Sequence, residues 1–292
     1  MTSTFSFLKF YFFTCFIFSF LTADELPFTN NFTHRSGNAI SEMEVIGERC
    51  SGTNYVRALV QKNFIQYELS DNTNTRLIQK NRHANKHFFP WLDLPAFQIN
   101  KQGKRIRDLD FLNGSNSCLF ILAVRDPYDW LRSFYAQPHH VLTSKMLGKG
   151  FLHFIQHEWR AEDNNATYPD HWNPYDERPF LNVLELRKYK TLNYLQTGLS
   201  VDNFLVVQYE QVAQNPSLFI DFISEYFNMK KTTPFHDIES YKDEEKKDFQ
   251  KKEYKPFNSI EFQFINNSID WPTEKLIGYY KINSLEEVNA RN

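Results

Sequence analysis

Met43-Glu44-Val45-Ile46-Gly47-Glu48-Arg49-Cys50-Ser51-Gly52-Thr53-Asn54-Tyr55 is the stretch on which the folding of this chain turns. The apolar run Met43–Ile46 suits a buried parallel strand. Two glycines five apart follow it. From Asn54 to Phe64, Val56, Leu59, Val60 and Phe64 then recur on one helical face. A strand-to-helix turn of this kind lets backbone N–H groups converge on one point. The start of the helix adds roughly half a positive charge there, so the turn is suited to a phosphate.

The same alternation repeats along the chain. Leu119–Val124 is a second continuous apolar run of strand length, with a helix-like segment at Trp130–Tyr135 after it. Phe204–Val207 is a third, followed by Leu218–Phe227 with Phe219, Phe222, Ile223 and Phe227 in helical register. Buried strands alternating with helices predict an α/β fold of three layers, with a central parallel sheet and helices on both faces. Residues 137–180 break the pattern, being rich in His, Trp, Pro, Asp and Asn, with one helix expected near Phe151–Arg160. They read as an insertion over the sheet edge on the substrate side. Tyr241–Lys255 is a dense mixed-charge run that reads as solvated.

The glycine spacing of the first loop is that of a Walker A turn, but Thr53-Asn54 stands where such a turn ends in Lys-Ser/Thr. Without that Lys the β- and γ-phosphates of a nucleoside triphosphate lose their point charge. Without the Ser/Thr a magnesium ligand is missing, so an ordinary ATPase or GTPase is disfavoured. Leu119–Val124 runs into Arg125-Asp126-Pro127 and then a helix bearing Ser133, which taken alone reads as a strand-turn-helix with a surface Arg. Pro127 suits a first helical turn and Asp126 suits an N-cap.

These two motifs resemble those of the sulfotransferase superfamily, which uses the sulfuryl donor PAPS. Ser51-Gly52-Thr53-Asn54-Tyr55 matches the family's 5′-phosphosulfate loop. Arg125 and Ser133, eight residues apart, match its 3′-phosphate motif. The resemblance implies a P-loop NTPase-like sulfotransferase fold, with Ser51, Gly52, Thr53 and Asn54 on the 5′-phosphate and Tyr55 near the adenine. Where the family has a Lys before the Ser-Gly pair this chain has Cys50, and Arg49 is the candidate replacement cation. Lys86-His87-Phe88-Phe89-Pro90 is similar to the family's Lys-x-His-x-Pro segment. It implies His87 as the base that takes the acceptor proton and Lys86 as its electrostatic partner, and a carboxylate base is the alternative. Gln208-Tyr209-Glu210 with Asn215-Pro216 resembles a further family segment, which would bring Tyr209 to the adenine. Lys251 and Lys252 are stand-ins for a 3′-phosphate clasp not found elsewhere in the sequence. The implied activity is transfer of a sulfuryl group from PAPS to a hydroxyl or amine, leaving PAP. The alternatives are a P-loop small-molecule or nucleotide kinase, and a non-catalytic nucleotide- or glycan-binding family member.

The remaining features bear on compartment and metal. Phe5–Leu21 is apolar apart from Lys9 and small hydroxyl residues, and Leu21-Thr22-Ala23 offers a small residue at a cleavage point. Its unbroken core, Phe10–Leu21, is shorter than the ~20 residues of a spanning helix. Residues 1–23 are therefore expected to be a signal peptide or a signal anchor, with 24–42 a short stem and 43–292 the domain. That reading places the protein in the secretory pathway, in the Golgi lumen or membrane or secreted, with a carbohydrate or a protein tyrosine favoured as acceptor over a small phenol. Sequons at Asn31, Asn113, Asn165 and Asn266 fit that route, although so Asn-rich a chain produces such triplets by chance. A net charge of −2 gives no pull toward nucleic acid. Cys50 past the end of one parallel strand and Cys118 at the start of the next should lie ~20 Å apart, beyond the ~7 Å a disulfide allows. His153 and His157 share a helical face, but Glu158 is misplaced for a zinc-protease base, and no metal site is expected.

Overall fold

The computed structural model describes residues 32–34, 37–69, 98–99, 105–106, 115–138, 141, 148–163, 166–167, 169–238 and 253–291. The leader at 5–21, Lys86 and His87, Lys251 and Lys252, and Asn31, Asn113 and Asn165 lie outside them. No helix among the described residues is long and apolar enough to cross a membrane.

The fold is mixed α/β around a small mixed sheet. Its strands are β1 (Phe32–His34), β2 (Glu42–Ile46), β3 (Glu68–Leu69), β4 (Cys118–Val124) and β5 (Asn203–Gln208), in the order β1-β5-β4-β2-β3. Four of them are parallel, and β1 joins the edge antiparallel, with Phe32 opposite Leu205 and His34 opposite Asn203. This corrects the expected stem at 24–42, because Phe32–His34 already belongs to the sheet. The edge is fixed by a polar contact: His34 Nδ1 and the Oδ1 of fully buried Asn203 share a hydrogen bond of 2.7 Å, and Asn203 Nδ2 donates to Asn116 O.

The continuous apolar runs arise because both faces of the central strands are covered. Leu119, Ile121 and Ala123 pack with Val56, Leu59 and Val60 of helix α1 (Thr53–Asn63) and with Phe219, Ile220 and Ile223. Phe120, Leu122 and Val124 point the other way, toward Tyr194, Phe204, Val206 and Ile277. Val56, Leu59 and Val60 are fully buried, each contributing ~2 kcal/mol of transfer free energy, so a charge at any of them would unseat α1.

A third cluster, largely aromatic, joins helix α2 (Pro127–Ala136) to the insertion and the C-terminal segment. Here the expected helix at Phe151–Arg160 is shorter. Helix α3 covers only Phe151–Gln156, because His157 turns extended and the Trp159 N–H donates to Phe180 O at 3.0 Å. The insertion then returns along helix α4 (Val183–Ser200). Arg187 of α4 makes a buried two-pronged ion pair with Glu274, at 2.6 and 2.8 Å, and donates to Arg125 O at 2.8 Å. Cys50 and Cys118 are both free thiols, as their expected separation requires. Asn266 is not a surface sequon: it is buried, accepts from the Tyr128 hydroxyl and donates to Ile282 O at 2.8 Å.

Candidate functional site

The register of the sheet assembles the site. Ile46 pairs with Leu122, and Val124 pairs with Gln208, so β2, β4 and β5 reach their carboxyl ends side by side. In an open α/β sheet that edge is where ligands bind. The next residues along are Gly47, Arg125 and Tyr209.

The loop between β2 and α1 is closed from within. Gly47 has φ +150°, and a Cβ there would lie 2.5 Å from Ala123 O, so only glycine lets the loop pass β4. Ser51 N–H and Ser51 Oγ both donate to Glu48 O, at 3.2 and 2.6 Å. Both donors of Ser51 thus close the turn, a structural use distinct from the expected phosphate contact. Cys50 adopts a left-handed φ of 60° and Gly52 one of 87°. Gly52 then serves as the N-cap of α1, which has no side-chain cap and no acidic residue in its first turn. The N–H groups of Gly52, Thr53 and Asn54 therefore face outward at the positive end of the helix.

Arg125 lies beside this opening. Its guanidinium donates to Cys50 O at 3.4 Å and sits over the Tyr209 ring at 5.0 Å. Nε is buried without a hydrogen-bond partner, and no carboxylate reaches it within salt-bridge distance among the described residues. Burial works against its charge, but neighbouring Tyr254, Tyr209, Asp129 and Glu210 outweigh that and raise its pKa. A largely buried cation that makes no ion pair among the described residues, beside uncapped N–H groups, is suited to an anion. Tyr209 meets Tyr55 edge to face at 5.9 Å, which joins the two aromatic residues of the expected adenine region at one side of the loop.

Helix α2 is docked on the same loop. Trp130 Nε1 donates to Arg49 O at 2.7 Å, and Gln137 O lies 3.7 Å from Cys50 Sγ. Ser133 falls between them at helical spacing, so it sits on the loop-facing side of α2, 7% exposed.

Arg49 is the residue that sequence reasoning misassigned. Its guanidinium is 1% exposed and turned into the core, where Nη1 and Nη2 donate to Asp170 at 2.7 and 3.0 Å. Burial opposes its charge, but Asp170 and Glu48 more than offset it and raise the pKa. It cannot also replace the missing loop lysine. Nothing in the sequence identifies Asp170 as its partner across 121 residues. Glu210 has a structural part that its motif does not disclose: its carboxylate accepts from Asp126 N–H at 2.9 Å and from the Tyr279 hydroxyl at 2.7 Å, which fixes the turn after Arg125. His153 and His157 stack edge to face at 4.7 Å. Among the described residues no group of three or more His, Cys, Asp or Glu is arranged to hold a metal ion.

Asp126 caps α2 through Oδ1, which accepts from Tyr128 and Asp129 N–H at 2.9 and 3.2 Å. Burial, followed by the charges of Asp129 and Glu210, pushes its carboxyl from 3.8 up to about 6. A raised carboxyl means the native state binds the proton more tightly than the unfolded chain. The corresponding stability is present below about pH 4 and lost as pH rises through 6. Asp126→Asn keeps the capping oxygen without the charge. It should be more stable than the parent at pH 8, by up to about 3 kcal/mol, the gap closing only below about pH 4 in thermal melts. Parallel melting profiles would refute this assignment.

Comparison of the sequence with protein-family models gave no match, and comparison with curated proteins gave none either.

Proposed function

We propose that the chain is a PAPS-dependent sulfotransferase built on a three-layer, P-loop NTPase-like sulfotransferase fold. The observation that carries this reading is the Arg125 guanidinium, its Nε buried without a hydrogen bond, beside the open N-terminus of α1 at the carboxyl ends of adjacent parallel strands. In this reading the two features take two different phosphate groups. PAPS and PAP carry two separate phosphate groups, on the 5′ and 3′ positions of one ribose, and ATP lacks the 3′ group. In this reading Arg125 and Ser133 take the 3′-phosphate. The N–H groups of Gly52, Thr53 and Asn54 take the 5′-phosphate. Tyr55 and Tyr209 bound the adenine.

Sulfuryl transfer then runs in line from the donor to an acceptor hydroxyl or amine. His87 removes the acceptor proton, and Lys86 offsets negative charge on the leaving oxygen. The apolar leader at 5–21 favours a secretory acceptor, a carbohydrate or a protein tyrosine, with a signal peptide or anchor delivering the enzyme to the Golgi. The test is calorimetric titration with PAP and with ATP, each with and without magnesium. PAP should bind at least tenfold more tightly than ATP, independently of the metal. Equal affinities, or magnesium-dependent ATP binding, would favour a kinase instead. Labelled PAPS with a panel of glycans, phenols and peptides separates an enzyme from a binder, which gives no labelled product.

A further inference from the structure

Behind the phosphate loop lies a buried cluster of four charges drawn from three distant parts of the chain. Glu48 and Arg49 belong to the loop, Asp170 to the insertion and Lys190 to α4. Asp170 is fully buried, Arg49 and Lys190 are 1% exposed, and Glu48 is 7% exposed. Asp170 grips the Arg49 fork with both oxygens. Arg49 Nη1 also donates to Glu48 Oε1 at 3.0 Å, and Lys190 Nζ lies 3.8 Å from both carboxylates. Two cations and two anions leave the cluster formally neutral, which is the condition for burying them.

Its geometry runs into the loop backbone. Glu48 Oε1 accepts from Arg49 N–H at 2.7 Å, and Arg49 O accepts from the Trp130 indole. Both main-chain groups of the residue before left-handed Cys50 are therefore held, one of them by a carboxylate of the cluster. Asp170 is anchored in turn, since its carbonyl accepts from Trp159 Nε1 at 2.9 Å, and the Arg49 guanidinium lies 5.3 Å from the Trp159 ring. The cluster thus connects the insertion to the one segment whose N–H groups must converge.

We infer that Asp170 is a positioning residue for the phosphate loop: by orienting Arg49 it fixes the direction of the Gly52–Asn54 N–H groups, without touching the ligand. The inference rests on the reading of that loop as an anion site, and it makes the insertion part of the nucleotide machinery as well as an acceptor-side element.

The test uses the full chain, hydrogen exchange of the 47–55 segment and PAP titration, on Asp170→Asn and on the double variant Arg49→Met/Asp170→Leu. The double variant replaces a buried pair with apolar groups of similar size, which commonly preserves stability. A purely structural role predicts that it regains parental exchange and parental PAP affinity along with its melting temperature. A positioning role predicts at least tenfold faster exchange in 47–55 and at least tenfold weaker PAP binding in both variants, even where melting temperature is restored. If Asp170→Asn does not fold, the double variant decides alone. Unchanged exchange in a folded variant overturns the inference whatever PAP does. A parent protein that fails to bind PAP refutes the nucleotide reading instead, and the exchange result still decides this one.

Discussion

Arg125→Ala should weaken PAP binding roughly a hundredfold while changing the stability of the free protein by less than about 1 kcal/mol. The asymmetry follows from what the guanidinium touches. Within the protein it makes one long hydrogen bond, 3.4 Å to Cys50 O, and a stacking contact with Tyr209. Its Nε has no partner. Removing it loses a ring contact and a long hydrogen bond, together worth up to ~1 kcal/mol. To a bound phosphate, by contrast, it offers a charge-assisted fork worth about 3 kcal/mol. Arg125→Lys keeps the charge and loses the fork, so its affinity should fall between the two. Titration calorimetry with PAP, paired with a thermal melt of the free protein, reads both quantities. A large loss of stability with little loss of affinity would make Arg125 a structural residue and remove the central support for the nucleotide reading.

Gly52→Ala should destabilise the domain by about 3 kcal/mol and weaken PAP binding more than tenfold. At φ +87° any side chain carries the left-handed penalty of ~1–2 kcal/mol. A Cβ there would also stand 2.2 Å from Tyr209 Cδ2 and 2.8 Å from Cγ, too close for any side-chain carbon, adding an overpacking cost of ~1–3 kcal/mol. The collision has a diagnostic. Tyr209→Ala removes the ring that the new methyl strikes, so the double variant should be more stable than the sum of the single losses predicts. Strict additivity would mean that the backbone conformation alone sets the cost and that the ring moves aside freely. Chemical denaturation of the four proteins in the cycle measures it.

The parts of the fold legible in the sequence are those whose buried face is apolar. Met43–Ile46, Leu119–Val124 and Phe204–Val207 announced three parallel strands because both faces of each are covered. Asp126-Pro127 announced the start of α2 through its cap. Helix α4 escaped because its buried positions include Arg187, Lys190, Thr191 and Asn193. A periodicity of apolar residues cannot register a face made of charges satisfied by Glu274, Glu48 and Asp170. β1 escaped for another reason: three residues at an antiparallel edge, fixed by His34 and Asn203, carry too little pattern to stand out from polar surroundings.

The placing of the candidate residues at one sheet edge was legible, and their wiring less so. Gly47, Gly52, Arg125 and Tyr209 converge because of strand register, which the strand-loop-helix pattern implied. That Ser51 closes the turn and Arg49 faces inward depends on Glu48, Trp130 and Asp170, the last of them far along the chain. Only spatial neighbours distinguish a cation that faces a ligand from one that holds a loop.

The pairing of Val124 with Gln208 has one more consequence. Arg125 and Tyr209 meet because they follow the two halves of a single rung. The smallest slip of β5 along β4 that keeps each strand's faces the right way round is two residues, or ~7 Å, and it would draw the guanidinium off the ring. The proposed anion site, which needs that contact, therefore cannot persist in a partly open molecule. It vanishes with the first cooperative separation of the central strands, so amide protection there and ligand capture should be lost in one event.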